Sequence, residues 1–232
     1  MKIKEVSYGE NRNLIIIDDI YNLDQIYRIY HTCCQQDYRM SNGSRFEIQS
    51  ISDRRLVCRM GHNHPLIEYF FHEKSPCKDI FLKYIDNTKY FYQRSYINLG
   101  TISDSNQIHT DSECRYSQRL STSKTVLYYA NTEWKHEYGG QTIFYDPNDI
   151  SNSYIIDFIP GRLVIFDGEI PHNVLPRSLA SPSYRFTVAL KWDLISSKSK
   201  KEQDSIIPIQ PIQTIQNPIG DKLDNNIIGT KG

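Results

Sequence analysis

The chain has 232 residues, enough for one sizeable hydrophobic core with appendages. Its 27 basic and 27 acidic residues cancel, which argues against a polyanion-binding field, so neither nucleic acid nor an acidic membrane surface is an expected partner. Five cysteines, Cys33, Cys34, Cys58, Cys77 and Cys114, are odd in number and form no Cys-x-x-Cys pair, a pattern that suits free thiols in a reducing compartment better than a disulfide framework or a zinc knuckle. No apolar signal core opens the sequence and no run is long enough to span a bilayer, so a cytoplasmic protein is expected.

In chain order, residues 14–17 read as a short buried strand that runs into the polar pair Asp18-Asp19. Residues 23–36 predict a helix, with Asn22 or Asp24 near its cap and Ile26, Tyr27, Ile29 and Tyr30 on its apolar face. Residues 45–60 are β-like, Phe46, Ile48 and Ile51 loosely alternating. Gly61-His62-Asn63-His64-Pro65 sets two imidazoles on one face, but no acidic partner follows at short spacing. A polar loop entering a helix at Pro65 is the preferred reading. Helices are predicted over 65–72 and 76–85, the second capped by Ser75, giving a supporting layer within residues 1–89.

From residue 90 the character changes to strands, at 90–99, 124–131, 141–145, 154–158, 163–166 and 184–192, all rich in β-branched and aromatic residues. Turn signals separate them at Gly100, Gly139-Gly140, Asp146-Pro147-Asn148, Pro160-Gly161, Asp167-Gly168 and Ser181-Pro182. Short strands at this spacing describe a sandwich or barrel core over 90–194 and exclude a doubly wound α/β sheet. Residues 195–232 read as an extended tail rich in Ile, Pro and Gln, because prolines at that density forbid a helix and interrupt a sheet ladder. Its isoleucines predict packing along the domain or against a second subunit.

The chemistry gathers at His109-Thr110-Asp111. A histidine and a carboxylate one residue apart lie on the same side of an extended segment, and His172, in Pro171-His172-Asn173-Val174, can complete a set of two imidazoles and one carboxylate. That set is the facial triad of a non-haem iron(II) oxygenase, which leaves the opposite face of the metal open. In the strand at 184–192, Arg185, Thr187, Ala189 and Lys191 alternate with Phe186, Val188, Leu190 and Trp192. With the apolar face on the helices, Arg185 points into the barrel, where a buried cation needs an anion. A dicarboxylic cosubstrate would supply it through paired hydrogen bonds. In the strand at 124–131, Thr125, Leu127 and Tyr129 share a face, and the Tyr129 hydroxyl can join Arg185 on the same carboxylate.

Taken together, Lys124-Thr-Val-Leu-Tyr-Tyr-Ala-Asn131, Trp134, Gly139-Gly-Gln-Thr-Ile-Phe144, Pro160-Gly-Arg-Leu-Val-Ile-Phe-Asp167, Pro171-His-Asn-Val174 and Tyr184-Arg-Phe-Thr-Val188 resemble, in order, the 2-oxoglutarate and iron(II) dependent oxygenases, prolyl 4-hydroxylase-like branch. The resemblance covers about 90–192. It implies a mainly β fold, a double-stranded β-helix (jelly-roll, cupin-like) with supporting helices. It implies iron(II) held by His109, Asp111 and His172, and 2-oxoglutarate bound by Arg185 with Tyr129 beside it and Thr142 and Val174 lining its pocket. Gly139-Gly140 matches the turn entering a barrel strand, a place suited to residues without a Cβ. Dioxygen is the second cosubstrate and ascorbate a further candidate cofactor.

The implied activity is hydroxylation of an unactivated C–H bond with release of succinate and carbon dioxide, on a peptidyl or protein residue. The retained carboxylate of Asp111 argues against halogenation and leaves hydroxylation, or a desaturation or cyclisation by the same chemistry, as the expected outcome. A free amino acid or small metabolite is the alternative substrate, and an inactive cupin-like binding module is the alternative of another class. The connection from 97 to 108 is expected to be longer than in the oxygen-sensing prolyl hydroxylases.

Overall fold

A computed structural model describes residues 1–8, 12–42, 54–102, 107–112 and 123–195. The expected tail beyond residue 195, the β-like stretch at 45–53 and Cys114 lie outside the described residues. The described strands are β1 (Lys2–Ser7), β2 (Asn13–Asp18), β3 (Arg39–Asn42), β4 (Arg54–Met60), β5 (Tyr90–Gly100), β6 (Lys124–Tyr129), β7 (Thr142–Tyr145), β8 (Ser153–Ile156), β9 (Leu163–Asp167), β10 (His172–Val174) and β11 (Arg185–Leu194). The described helices are α1 (Leu23–Cys34), α2 (Pro65–Phe71) and α3 (Pro76–Tyr84), with a 3₁₀ turn at His136–Tyr138.

Antiparallel pairing joins the strands into an eight-stranded sheet, β1-β2-β9-β6-β11-β5-β4-β3, and a three-stranded sheet, β10-β7-β8. Side-chain alternation sorts the central strands between two cores. Ile15, Ile17, Val126, Tyr128, Leu163, Ile165, Val188, Leu190 and Trp192 join one core with the buried faces of the helices. Leu14, Ile16, Leu127, Tyr129, Val164, Phe166 and Ala189 join the other with Phe144 and Ile156 of the smaller sheet. Both faces of the large sheet are therefore covered, which is why β2 and β9 read as continuous apolar runs. The double-stranded β-helix backed by helices is the expected architecture.

The helices start where their caps dictate. The Asn22 side chain accepts from Gln25 N–H while the Gln25 side chain accepts from Asn22 N–H, a reciprocal capping box. His64 and Ser75 cap α2 and α3, each followed by proline at the first helical position. Their apolar residues, among them Ile29, Leu66, Phe70, Ile80 and Phe81, pack beneath the sheet. Trp192, 1% exposed, closes one end of this core, its ring 5.3 Å from Phe81 and 5.5 Å from Tyr92.

Three described strands had no clear signal in the sequence. β1 is an edge strand whose residues are almost all exposed, so it carries no apolar alternation. β3 is the opposite edge, and β10 is three residues long. The connection expected from 97 to 108 begins later, because β5 runs on to Gly100 opposite Arg185; residues 103–106 lie outside the described residues. Cys33, Cys34, Cys58 and Cys77 are free thiols. Among the described residues no helix is long and apolar enough to cross a membrane.

Candidate metal centre and cosubstrate pocket

Backbone pairing brings the two histidines together. His109 and His172 form an antiparallel β-bridge, each N–H donating to the other's carbonyl, at 3.0 and 2.9 Å. Their rings lie side by side with centroids 4.4 Å apart. Asp111, two residues on, is held by its own N–H, which donates to Gly168 O at 2.8 Å. One ligand atom each of His109, Asp111 and His172 lie within 4.8 Å of one another. It is the one such cluster among the described residues, and His62 and His64 form no part of it.

The protonation pattern suits a metal. Nδ1–H of His109 donates to Gln107 O at 2.9 Å and that of His172 to Ile170 O at 3.0 Å, the tautomer that in a neutral ring leaves Nε2 as the lone-pair donor. Burial pushes His172 down from 6.5 to about 4, against the opposing pull of Asp111, and keeps its ring neutral. Burial alone would raise the Asp111 carboxyl, but Lys191, His172 and His109 together outweigh it and hold the group far below the ordinary carboxylate range. Phe144 and Phe166 pack against the His172 ring at 5.6 and 4.8 Å and close that side to water.

Lys191 is the site residue that sequence reasoning placed on the interior face without giving it a role. Its ammonium contacts Asp111 Oδ2 and donates to Thr125 Oγ1 at 2.9 Å, and Thr125 in turn donates to Asp111 Oδ2 at 2.8 Å. Lys191 faces Thr125 across the β6–β11 ladder, and β11 bulges against β5 between Lys191 and Trp192. With 5% of its surface exposed, the lysine is part of the interior.

Arg185 opens β11 and is also 5% exposed. Its Nε donates to Gly140 O at 2.9 Å, and its guanidinium carbon lies 4.9 Å from the Phe158 ring centre and 5.7 Å from that of Tyr129. Tyr129 stacks on Phe158 and its hydroxyl donates to Thr142 Oγ1 at 2.8 Å. Burial raises the phenol well above its ordinary range, although Arg185 and Thr142 oppose the shift, so the hydroxyl remains a donor. Tyr129 and Thr142 are thus bonded to each other beside Arg185. The cavity itself, about 710 Å³ including its open mouth, has His109, Asp111, His172, Val174, Arg185 and Lys191 in its walls. One pocket therefore joins the candidate metal ligands to a deep guanidinium.

Residues 95–192 match the family model described as the 2OG-Fe(II) oxygenase superfamily. No curated protein matches the chain. Among solved structures, a prolyl hydroxylase from Trichoplax adhaerens in complex with a hypoxia inducible factor oxygen degradation domain peptide fragment is 20% identical, with a TM-score of 0.59 over 83% of this chain and 86% of that one. A Pseudomonas putida prolyl-4-hydroxylase is 12% identical, with a TM-score of 0.58 over 79% and 92%. The non-heme alpha ketoglutarate dependent carbocyclase SnoK from nogalamycin biosynthesis is 10% identical, with a TM-score of 0.58 over 89% and 92%.

Proposed function

We propose that the chain, whose residues 95–192 match the 2-oxoglutarate and iron(II) dependent oxygenase superfamily, hydroxylates an unactivated C–H bond of a peptidyl or protein residue, as a prolyl-hydroxylase-like enzyme. The observation that carries this reading is the convergence of His109, Asp111 and His172 in the cavity that also holds Arg185. The donor set fits iron(II): two neutral imidazole nitrogens and one carboxylate, with the cavity open in front of them. Iron(II) and 2-oxoglutarate, when bound, supply an oxidation by dioxygen that yields succinate, carbon dioxide and one oxygen atom inserted into the C–H bond.

The chain's own residues have separable tasks. His109 and His172 offer Nε2, and the carbonyls of Gln107 and Ile170 fix the tautomer that makes this the donor atom. Thr125 and Lys191 keep Asp111 ionised and aimed. Arg185 receives the far carboxylate of 2-oxoglutarate, its fork fixed by Gly140 O and by the Phe158 and Tyr129 rings. Each charge-assisted bond there contributes about 1.5–3 kcal/mol. Thr142 and the Tyr129 hydroxyl brace that wall, Val174 lines the cavity beside His172, and Phe144 and Phe166 exclude water.

The fold likeness to a carbocyclase of nogalamycin biosynthesis favours a second reading, the same chemistry on a free amino acid or small metabolite. Succinate release from reconstituted enzyme, screened against proline-containing peptides and against free amino acids and metabolites, separates the two. Stimulation by peptides alone supports the first; stimulation by small molecules alone refutes it.

A further inference from the structure

A second arginine, Arg177, lines the same cavity and has no part in the chemistry above. It stands on the connection from β10 to β11, whose backbone is tied down on both sides of it. Leu175 N–H donates to Gln141 O at 2.9 Å, Gly140 N–H to Pro176 O at 3.2 Å and Ser178 N–H to Tyr138 O at 2.8 Å. Arg177 itself forms a β-bridge with Gly139. The root of its side chain is therefore as fixed as that of a strand residue.

Its guanidinium carbon lies 5.3 Å over the Tyr184 ring, a cation–π contact that orients the fork without neutralising it. Nε is shut off from solvent with no acceptor. None of the ion pairs among the described residues includes Arg177. A buried donor left in this state is costly unless something binds it.

Charges in the cavity pair off around it. Asp111 is the one carboxylate among the described lining residues, and Lys191 sits on it. Under the reading of the preceding section, on which this inference rests, Arg185 is matched by the far carboxylate of 2-oxoglutarate. Arg177 is left over, at the cavity wall with Val174 and Leu175. Tyr184 covers a face of its guanidinium and leaves the edge, the side that makes two parallel bonds to a carboxylate.

We propose that Arg177 is a specificity-determining residue that binds a carboxylate of the primary substrate, so that the compound oxygenated is anionic where it meets the β10–β11 connection. The carboxylate can come from an acidic side chain beside the target residue of a peptide, or from a free amino acid.

The test uses the full chain with iron(II) and 2-oxoglutarate. Its probes are blocked proline-containing peptides that differ only in Asp against Asn next to the proline, together with L-proline against L-prolinamide. Both succinate release and the shift of the anaerobic cosubstrate absorption band are read. Wild type should favour the acidic member of a pair about tenfold, the scale of one charge-assisted bond. Arg177→Gln should lose that preference, and Arg177→Glu should transfer it to peptides with Lys at the same position. A preference confined to Asp peptides identifies a side chain as the source, and one confined to L-proline a free amino acid. Equal responses from acid and amide, no response included, overturn the inference, as does an Arg177→Gln defect that lies in 2-oxoglutarate binding. Absence of the cosubstrate band would refute the assignment of the whole site and this inference with it; a normal band without acid preference refutes the inference alone.

Discussion

Replacing Gly140 by alanine tests how Arg185 is held. Gly140 has φ +76°, and a Cβ there would stand 2.8 Å from Arg185 Cδ and 3.2 Å from Nε. The left-handed backbone costs alanine about 1–2 kcal/mol. The clash also forces the arginine off its 2.9 Å bond to Gly140 O and off the Phe158 ring. Losing one charge-assisted bond to 2-oxoglutarate, roughly 1.5–3 kcal/mol, weakens cosubstrate binding about ten- to hundredfold. Gly139→Ala is the control: its φ is +71°, but its Cβ would meet Pro176 O at 2.7 Å and not Arg185. Thermal unfolding should show both variants destabilised, by about 1 kcal/mol or more. Anaerobic titration with 2-oxoglutarate should show the large affinity loss in Gly140→Ala. A Gly140→Ala protein that binds 2-oxoglutarate as wild type does would refute the role given to Arg185.

Lys191→Met removes the ammonium from Asp111 and should destabilise the metal-free protein by about 3–5 kcal/mol, the usual cost of stranding a buried charge. Manganese(II), a stand-in for iron(II), restores that charge, so its stabilising effect on the melting temperature should exceed that in wild type; equal increments would contradict this. His64 caps α2 by accepting Leu66 N–H on Nδ1 while its Nε2 faces Gln36 Oε1 at 3.0 Å, a role open only to the neutral ring. Burial lowers its pKa in the folded state, so its contribution is fully present above 6.5 and is lost as pH falls through the folded value. His64→Asn keeps a capping oxygen and should flatten the stability profile just below pH 6.5; an unchanged slope would exclude the cap as its source. Phe70→Ala empties a fully buried place between the helices and the sheet and should cost about 3–5 kcal/mol in denaturant unfolding; a loss under about 1 kcal/mol would show that the core collapses around it.

The sequence was most informative where a period of two met a buried sheet. Phe186, Val188, Leu190 and Trp192 face the helices as their alternation requires, and that alone turns Arg185 inward. The same alternation put Lys191 on the interior face, but lysine is so rarely buried that the residue type outweighed the position. Only the register of β11 against β6, which sets it opposite Thr125 beside Asp111, gives it a partner. Arg177 had no signal, because it lies on a connection without periodicity and its orientation comes from bonds to the turn at 138–141. The pairing of His109 with His172 is likewise a long-range bridge that the motifs implied and the chain's local pattern did not encode.

The proposed function requires His109, Asp111, His172 and Arg185 to serve one ferrous 2-oxoglutarate complex. Its most direct measurement is the weak visible charge-transfer band formed when iron(II) and 2-oxoglutarate are added to the protein without oxygen. The band should form in wild type, fail to form in His109→Ala at any cosubstrate concentration, and appear in Arg185→Ala only at much higher 2-oxoglutarate. A His109→Ala protein that forms the band as wild type does would contradict that requirement.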